Sequence, residues 1–170
     1  MHYVIYTICS SFAQTATAQS FLPPAIEWHG KSEALIAKTN NPWITPTERS
    51  GFVSTPDYNE TMNWFKKLTA ASPLLTMVSI GKSIEGRDIV MIIASTEKNV
   101  TLAALKKSGK PLLFVQAGIH SGEIDGKDAG MMLLRDNAFG NKKNLINKVH
   151  LLFLPILSVI HAIITVSQYY

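Results

Sequence analysis

The hydrophobic pattern starts with a short apolar run, Tyr3 to Phe12, which gives way to small and polar residues. Residues 19–50 are rich in Pro, Asn, Thr and Ser, with Pro23-Pro24, Pro42 and Pro46 as breakers, so they read as an extended lead-in. Beyond them Tyr58, Met62, Phe65 and Leu68 recur at helical spacing, which predicts an amphipathic helix over residues 57–71. Thr55 is the expected cap, Pro56 suits the first helical position, Glu60 helps close the turn, and Ser72-Pro73 ends the helix.

Two strand-like stretches follow, residues 75–80 and 88–95, and Ile89 to Ile93 is almost continuously apolar, as in a strand covered on both faces. Residues 101–108 predict a short helix, and Gly109-Lys110-Pro111 resets the chain. Leu112 to Ala117 predicts another buried strand, and residues 125–137 a helix with Ala129, Met132 and Leu133 facing inward. Val149 to Leu157 predicts a further strand, interrupted by Pro155. This loose alternation predicts an α/β fold with a mixed, largely buried sheet flanked by helices, and no internal repeat is present.

Composition narrows the class. In 170 residues, 46% hydrophobic and 16% charged, there is material for one cored domain. Sixteen basic against twelve acidic residues give +4, but the basic residues are scattered, with no stripe of the kind nucleic-acid binders carry. The single cysteine, Cys9, rules out a disulfide framework or a cysteine-based zinc site within the chain. Residues 1–18 read as a secretion signal: the apolar run is followed by Ala16-Thr17-Ala18, which places cleavage before Gln19 and the mature protein outside the cytoplasm, secreted or periplasmic. Only His2 precedes the run, a poor basic start. Residues 151–166 form a second apolar stretch, but they contain Pro155, Ser158 and His161 and fall short of the ~20 residues a membrane span needs.

One stretch carries chemistry. The predicted strand at residues 112–117 runs into Gly118-Ile119-His120-Ser121-Gly122-Glu123, a loop with a His and a Glu three residues apart. Loops at the carboxyl ends of strands in α/β sheets are where ligands bind, and imidazole nitrogen with carboxylate oxygen suits zinc. A catalytic zinc needs three protein ligands and an open position. A His-x-x-Glu pair also arises by chance, with the His bonding a loop carbonyl and the Glu capping the next helix.

Residues 55–158 resemble the N-terminal part of the M14 zinc carboxypeptidases in four successive pieces. These are Thr55 and Tyr58 opening an apolar helix, Ile80-Gly81-Lys82-Ser83-Ile84-Glu85-Gly86-Arg87-Asp88-Ile89, the strand into Gly118 to Glu123, and the apolar strand Leu151 to Leu157. The resemblance implies a partial catalytic domain over residues 51–170 that binds Zn2+ through His120 and Glu123 and acts on peptide or peptide-like substrates. It also implies a second His and a glutamate general base from later in such a chain, beyond residue 170. Gly122 stands where many animal members have a substrate-contacting Arg, which leaves the substrate open. Residues 159–170 depart from the family's polar continuation, and the expectation is a truncated or frame-shifted, inactive product. His161 comes too early, in too apolar a run, for the third ligand. The rivals are a deacylase of the succinylglutamate desuccinylase or aspartoacylase type, against which Glu85-Gly86-Arg87 argues, a non-catalytic pseudoenzyme, and a membrane-tailed protein. Glu85 and Arg87 read as a turn pair, and Asp125 and Asp128 as first-turn helix acids.

Overall fold

The computed structural model describes residues 29–120, 122–140 and 142–157. Residues 1–28, with the expected signal at 1–18, and residues 158–170, with His161, lie outside the described residues. The chain divides into two units, residues 1–34 and 35–170. In the first, His29 Nδ1 lies 2.9 Å from Glu33 Oε1.

The second unit opens on a helical turn, α1 (Pro46–Arg49), inside the stretch expected to be extended. The breaker at Pro46 is a helix start here: it occupies the first turn, and Thr45 and Glu48 form a capping box. Helix α2 (Tyr58–Ala71) lies where the periodicity predicts, but its cap is Asp57, boxed with Glu60, and not Thr55. Strands β1 (Leu75–Lys82) and β2 (Asp88–Ala94) form an antiparallel pair whose turn carries the Arg87–Glu85 ion pair at 3.2 Å. Helix α3 (Leu102–Lys107), capped by Thr101, leads to β3 (Leu112–Gln116). Then come α4 (Asp125–Ala138), a short α5 (Lys143–Lys148) that periodicity does not reveal, and β4 (His150–Leu154). Among the described residues, no helix is long and apolar enough to cross a membrane.

The sheet order is β1-β2-β4-β3, with β3 parallel to β4 and the other pairs antiparallel. It is the mixed α/β sheet predicted. Val90, Ile92 and Ala94 of β2 and Leu151 and Phe153 of β4 share one core with Phe65 and Leu68 of α2, Met131 and Leu134 of α4, and Ile146 of α5.

Two expectations need correction. Strand β3 is not buried: Leu112, Leu113 and Phe114 are exposed, because β3 has a neighbour on only one side among the described strands. Helix α4 presents a different face from the one expected. Gly130, Met131, Leu134 and Ala138 are buried, while Ala129 is exposed and Met132 and Leu133 are only half-buried. The cause is Gly130, which lets the helix lie directly on the Phe153 ring.

A buried histidine joins three of these elements. His150 is fully buried at the start of β4, with Nδ1 3.0 Å from Ser95 Oγ and Nε2 2.7 Å from Ser108 Oγ. The Ser108 hydroxyl donates to Leu105 O, so Nε2–H donates to Ser108 and Nδ1 accepts from Ser95. Burial pushes the imidazole below its ordinary value, Lys110 adds to that, and Glu97 opposes it. The folded state therefore holds His150 neutral. Its contribution to stability is complete above the unfolded value of about 6.5 and is lost as pH falls below it toward the depressed folded value. Between pH of about 7.5 and 5.5 the thermal midpoint should drop more in the wild type than in His150→Asn. Equal pH slopes would contradict a neutral buried imidazole.

Candidate metal site

Strands β3 and β4 run parallel, so their carboxyl ends lie together, and the loop after β3 is tied to the end of β4. Ala117 N–H donates to Leu154 O at 2.8 Å, and Leu157 N–H donates to Gly118 O at 3.2 Å. Gly118 adopts a φ of 58°, and a Cβ there would stand 3.0 Å from both Ile156 Cα and Pro155 O, so glycine is required twice over. On the far side, Gly126 in the first turn of α4 approaches Ala117, where an added Cβ would sit 3.1 Å from the alanine Cβ. The loop is thus pinned where it leaves the strand and where it enters the helix.

Between these points the structure brings His120 and Glu123 together. Glu123 N–H donates to His120 O at 3.1 Å, closing a tight turn. The turn places His120 Nδ1 2.8 Å from Glu123 Oε1, and His120 N–H 3.4 Å from Glu123 Oε2. Hydrogen bonds from the His120 ring, then from its backbone, hold the Glu123 carboxyl below its ordinary range, so it accepts as a carboxylate and Nδ1 carries the proton. Both side chains are open to solvent, at 78% and 57% exposure.

The donor set suits a borderline metal. Zinc–nitrogen and zinc–oxygen bonds of about 2.1 Å at a tetrahedral angle set the two donor atoms ~3.4 Å apart. The pair needs only a small opening to reach that bite, and a metal would replace the proton between the two atoms. Among the described residues no third His, Cys, Asp or Glu joins them. The pair fits as two ligands of a site that takes three.

A cleft of about 300 Å³ opens beside the start of α4, lined by Phe52, Val53, Ile124, Asp125 and Met132 among others. Behind it sits a buried group that sequence reasoning missed. Lys127 Nζ donates to Thr55 Oγ1 at 2.7 Å, Pro56 O at 2.7 Å and Asp128 Oδ1 at 2.9 Å. Burial pushes Lys127 below its ordinary value, and the Asp128 charge opposes that. Asp128, read from sequence as a simple first-turn acid, is 8% exposed and also accepts from Thr55 Oγ1 at 3.0 Å.

Residues 61–159 match the sequence model of the M14 peptidases, described as zinc carboxypeptidase. Among solved structures, the carboxypeptidase A of Helicoverpa armigera superposes with a TM-score of 0.54 at 22% identity, over 68% of this chain and 28% of that one. A metallo-carboxypeptidase from Burkholderia cenocepacia superposes with a TM-score of 0.52 at 16% identity, over 64% and 28%. At those identities the likeness is one of fold, and the chain spans well under a third of either protein's length. No curated protein sequence matches.

Proposed function

The chain belongs to the M14 zinc carboxypeptidase family, and on that basis we propose that His120 and Glu123 are two ligands of a catalytic zinc. The protein they serve would release C-terminal residues from peptides. The observation that carries this reading is the 2.8 Å approach of Nδ1 to a carboxylate oxygen, on a loop at the carboxyl ends of two parallel strands. When bound, the zinc would polarise a scissile carbonyl and acidify a water. This chain's own contribution is to hold an imidazole nitrogen and a carboxylate at nearly the required bite. The third ligand and the general base belong, in this reading, to sequence after the described residues. The Ala16-Thr17-Ala18 motif supports export with Gln19 as the first mature residue.

Two protein ligands give a weak site, in about the micromolar range when the affinity of complete structural sites is scaled by ligand number. Each ligand then carries ~3 kcal/mol, so His120→Ala or Glu123→Ala should weaken zinc binding about 100-fold, effectively to background. Competition with a chromophoric chelator measures this. Zinc affinity indifferent to both substitutions would refute the ligand assignment.

A further inference from the structure

We propose that Lys127 is a positioning residue for the metal loop, clamping the first turn of α4 so that Glu123 keeps its place opposite His120. The proposal rests on reading His120 and Glu123 as ligands. Lys127 is 5% exposed, and all three ammonium protons have acceptors: a hydroxyl, a backbone carbonyl and a carboxylate. A buried ammonium is costly unless paired and fully bonded, and this one meets both conditions. Its acceptors come from two places in the chain. Asp128 is its neighbour on α4, whereas Thr55 and Pro56 lie some seventy residues earlier, at the base of α2. Helix α2 is anchored by Phe65 and Leu68, both fully buried. The ammonium therefore ties the start of α4 to the chain entering a helix that is packed into the core.

The connection to the metal pair is short. Lys127 lies four residues after Glu123, and Asp128 N–H donates to Ile124 O at 3.1 Å, so the clamp acts one helical turn from the ligand. The other end of the loop is held at Gly118 by its close packing on Pro155 and Ile156. Neither ligand is held by burial, since both side chains are exposed. Their separation depends on the backbone between the two anchors, and ligand sites lose affinity when such supporting contacts are removed.

Thr55→Val tests the clamp with little threat to folding, because it keeps the shape and the Lys127–Asp128 pair but removes the hydroxyl both groups use. The double variant Lys127→Met with Asp128→Asn removes the ammonium without leaving an unpaired carboxylate. In both, hydrogen exchange at the Glu123 and Ile124 amides should quicken at least tenfold, and zinc should bind roughly 5- to 10-fold more weakly. Leu105→Ala, which opens a cavity under α3, is the control: it lowers the unfolding midpoint and should leave loop exchange and zinc affinity unchanged. Unchanged exchange and affinity in folded Thr55→Val and the double variant would overturn the clamp, whatever the ligands are. Faster exchange combined with zinc binding that ignores His120→Ala would overturn the ligand assignment and leave the clamp as a loop anchor.

Discussion

Gly130→Ala should cost the protein about 2–3 kcal/mol of stability, although alanine is the better helix former by nearly 1 kcal/mol. A Cβ at residue 130 would fall 2.0 Å from Phe153 Cζ and 2.5 and 2.6 Å from the neighbouring ring carbons. The ring has nowhere to go: Phe153 is 2% exposed and packs against Phe65 at 6.2 Å between centroids. Either α4 lifts from β4 or the ring leaves its rotamer, and both open the core beneath the metal loop. Urea unfolding measures the loss, and adding Phe153→Leu should recover much of it by vacating the space. A Gly130→Ala protein more stable than the wild type would show that α4 does not lie on β4 as described.

The second large effect is expected at Arg135. Its guanidinium Nη1 donates to Glu48 Oε2, Nε donates to Asp136 Oδ1 at 2.9 Å, and Nη2 donates to Leu35 O at 3.0 Å. The Glu48 side chain has no exposed surface and that of Arg135 only 4%. Burial works to raise the Glu48 carboxyl, but bonds from Arg135 and from the Ala37 and Thr45 amides outweigh it and hold the group below its ordinary value. Arg135→Met strands that carboxylate, and breaking one side of a buried pair typically costs 3–5 kcal/mol, so a loss of about 4 kcal/mol is expected. The sign of the pH response should change too. In the wild type the Glu48 contribution is present above the unfolded carboxyl value and lost as pH falls through the lower folded value. In Arg135→Met the buried carboxyl prefers its proton, so acidification should narrow the gap to the wild type. Glu48→Gln added to Arg135→Met should restore part of the stability, because it removes the stranded charge and its one amide oxygen can still accept from the Ala37 or the Thr45 amide, which now bond to separate carboxylate oxygens. A double variant no more stable than Arg135→Met would show that the stranded charge is not the cause.

Much of this arrangement was visible in local sequence. The helix at residues 58–71, the two strands around Glu85-Gly86-Arg87 and the Gly118 to Glu123 loop all follow from short-range patterns, because apolar spacing and glycine placement act over a few residues. What escaped depends on distant partners. Glu48 and Arg135 are 87 positions apart, and nothing near either announces the other. Lys127 reads as an ordinary surface lysine until Thr55 and Pro56 are brought to it. The inward face of α4 was misjudged because Gly130, the residue in closest contact with the sheet, carries no side chain for a hydrophobic pattern to count. Strand β3 looked buried because an apolar run cannot tell a central strand from one at the margin of the described sheet. The turn at Pro46–Arg49 was hidden by a proline taken as a breaker, when Thr45 and Glu48 make it a helix start.

The central claim, that His120 and Glu123 ligate zinc, is tested most directly by X-ray absorption at the zinc edge on the metal-saturated chain. The account predicts a coordination shell of nitrogen and oxygen at about 2.0–2.2 Å, with one imidazole, a carboxylate and the remainder water. In His120→Ala the single-imidazole signature should vanish along with most of the binding. A shell containing sulfur or two or more imidazoles, or one left unchanged by His120→Ala, would contradict it.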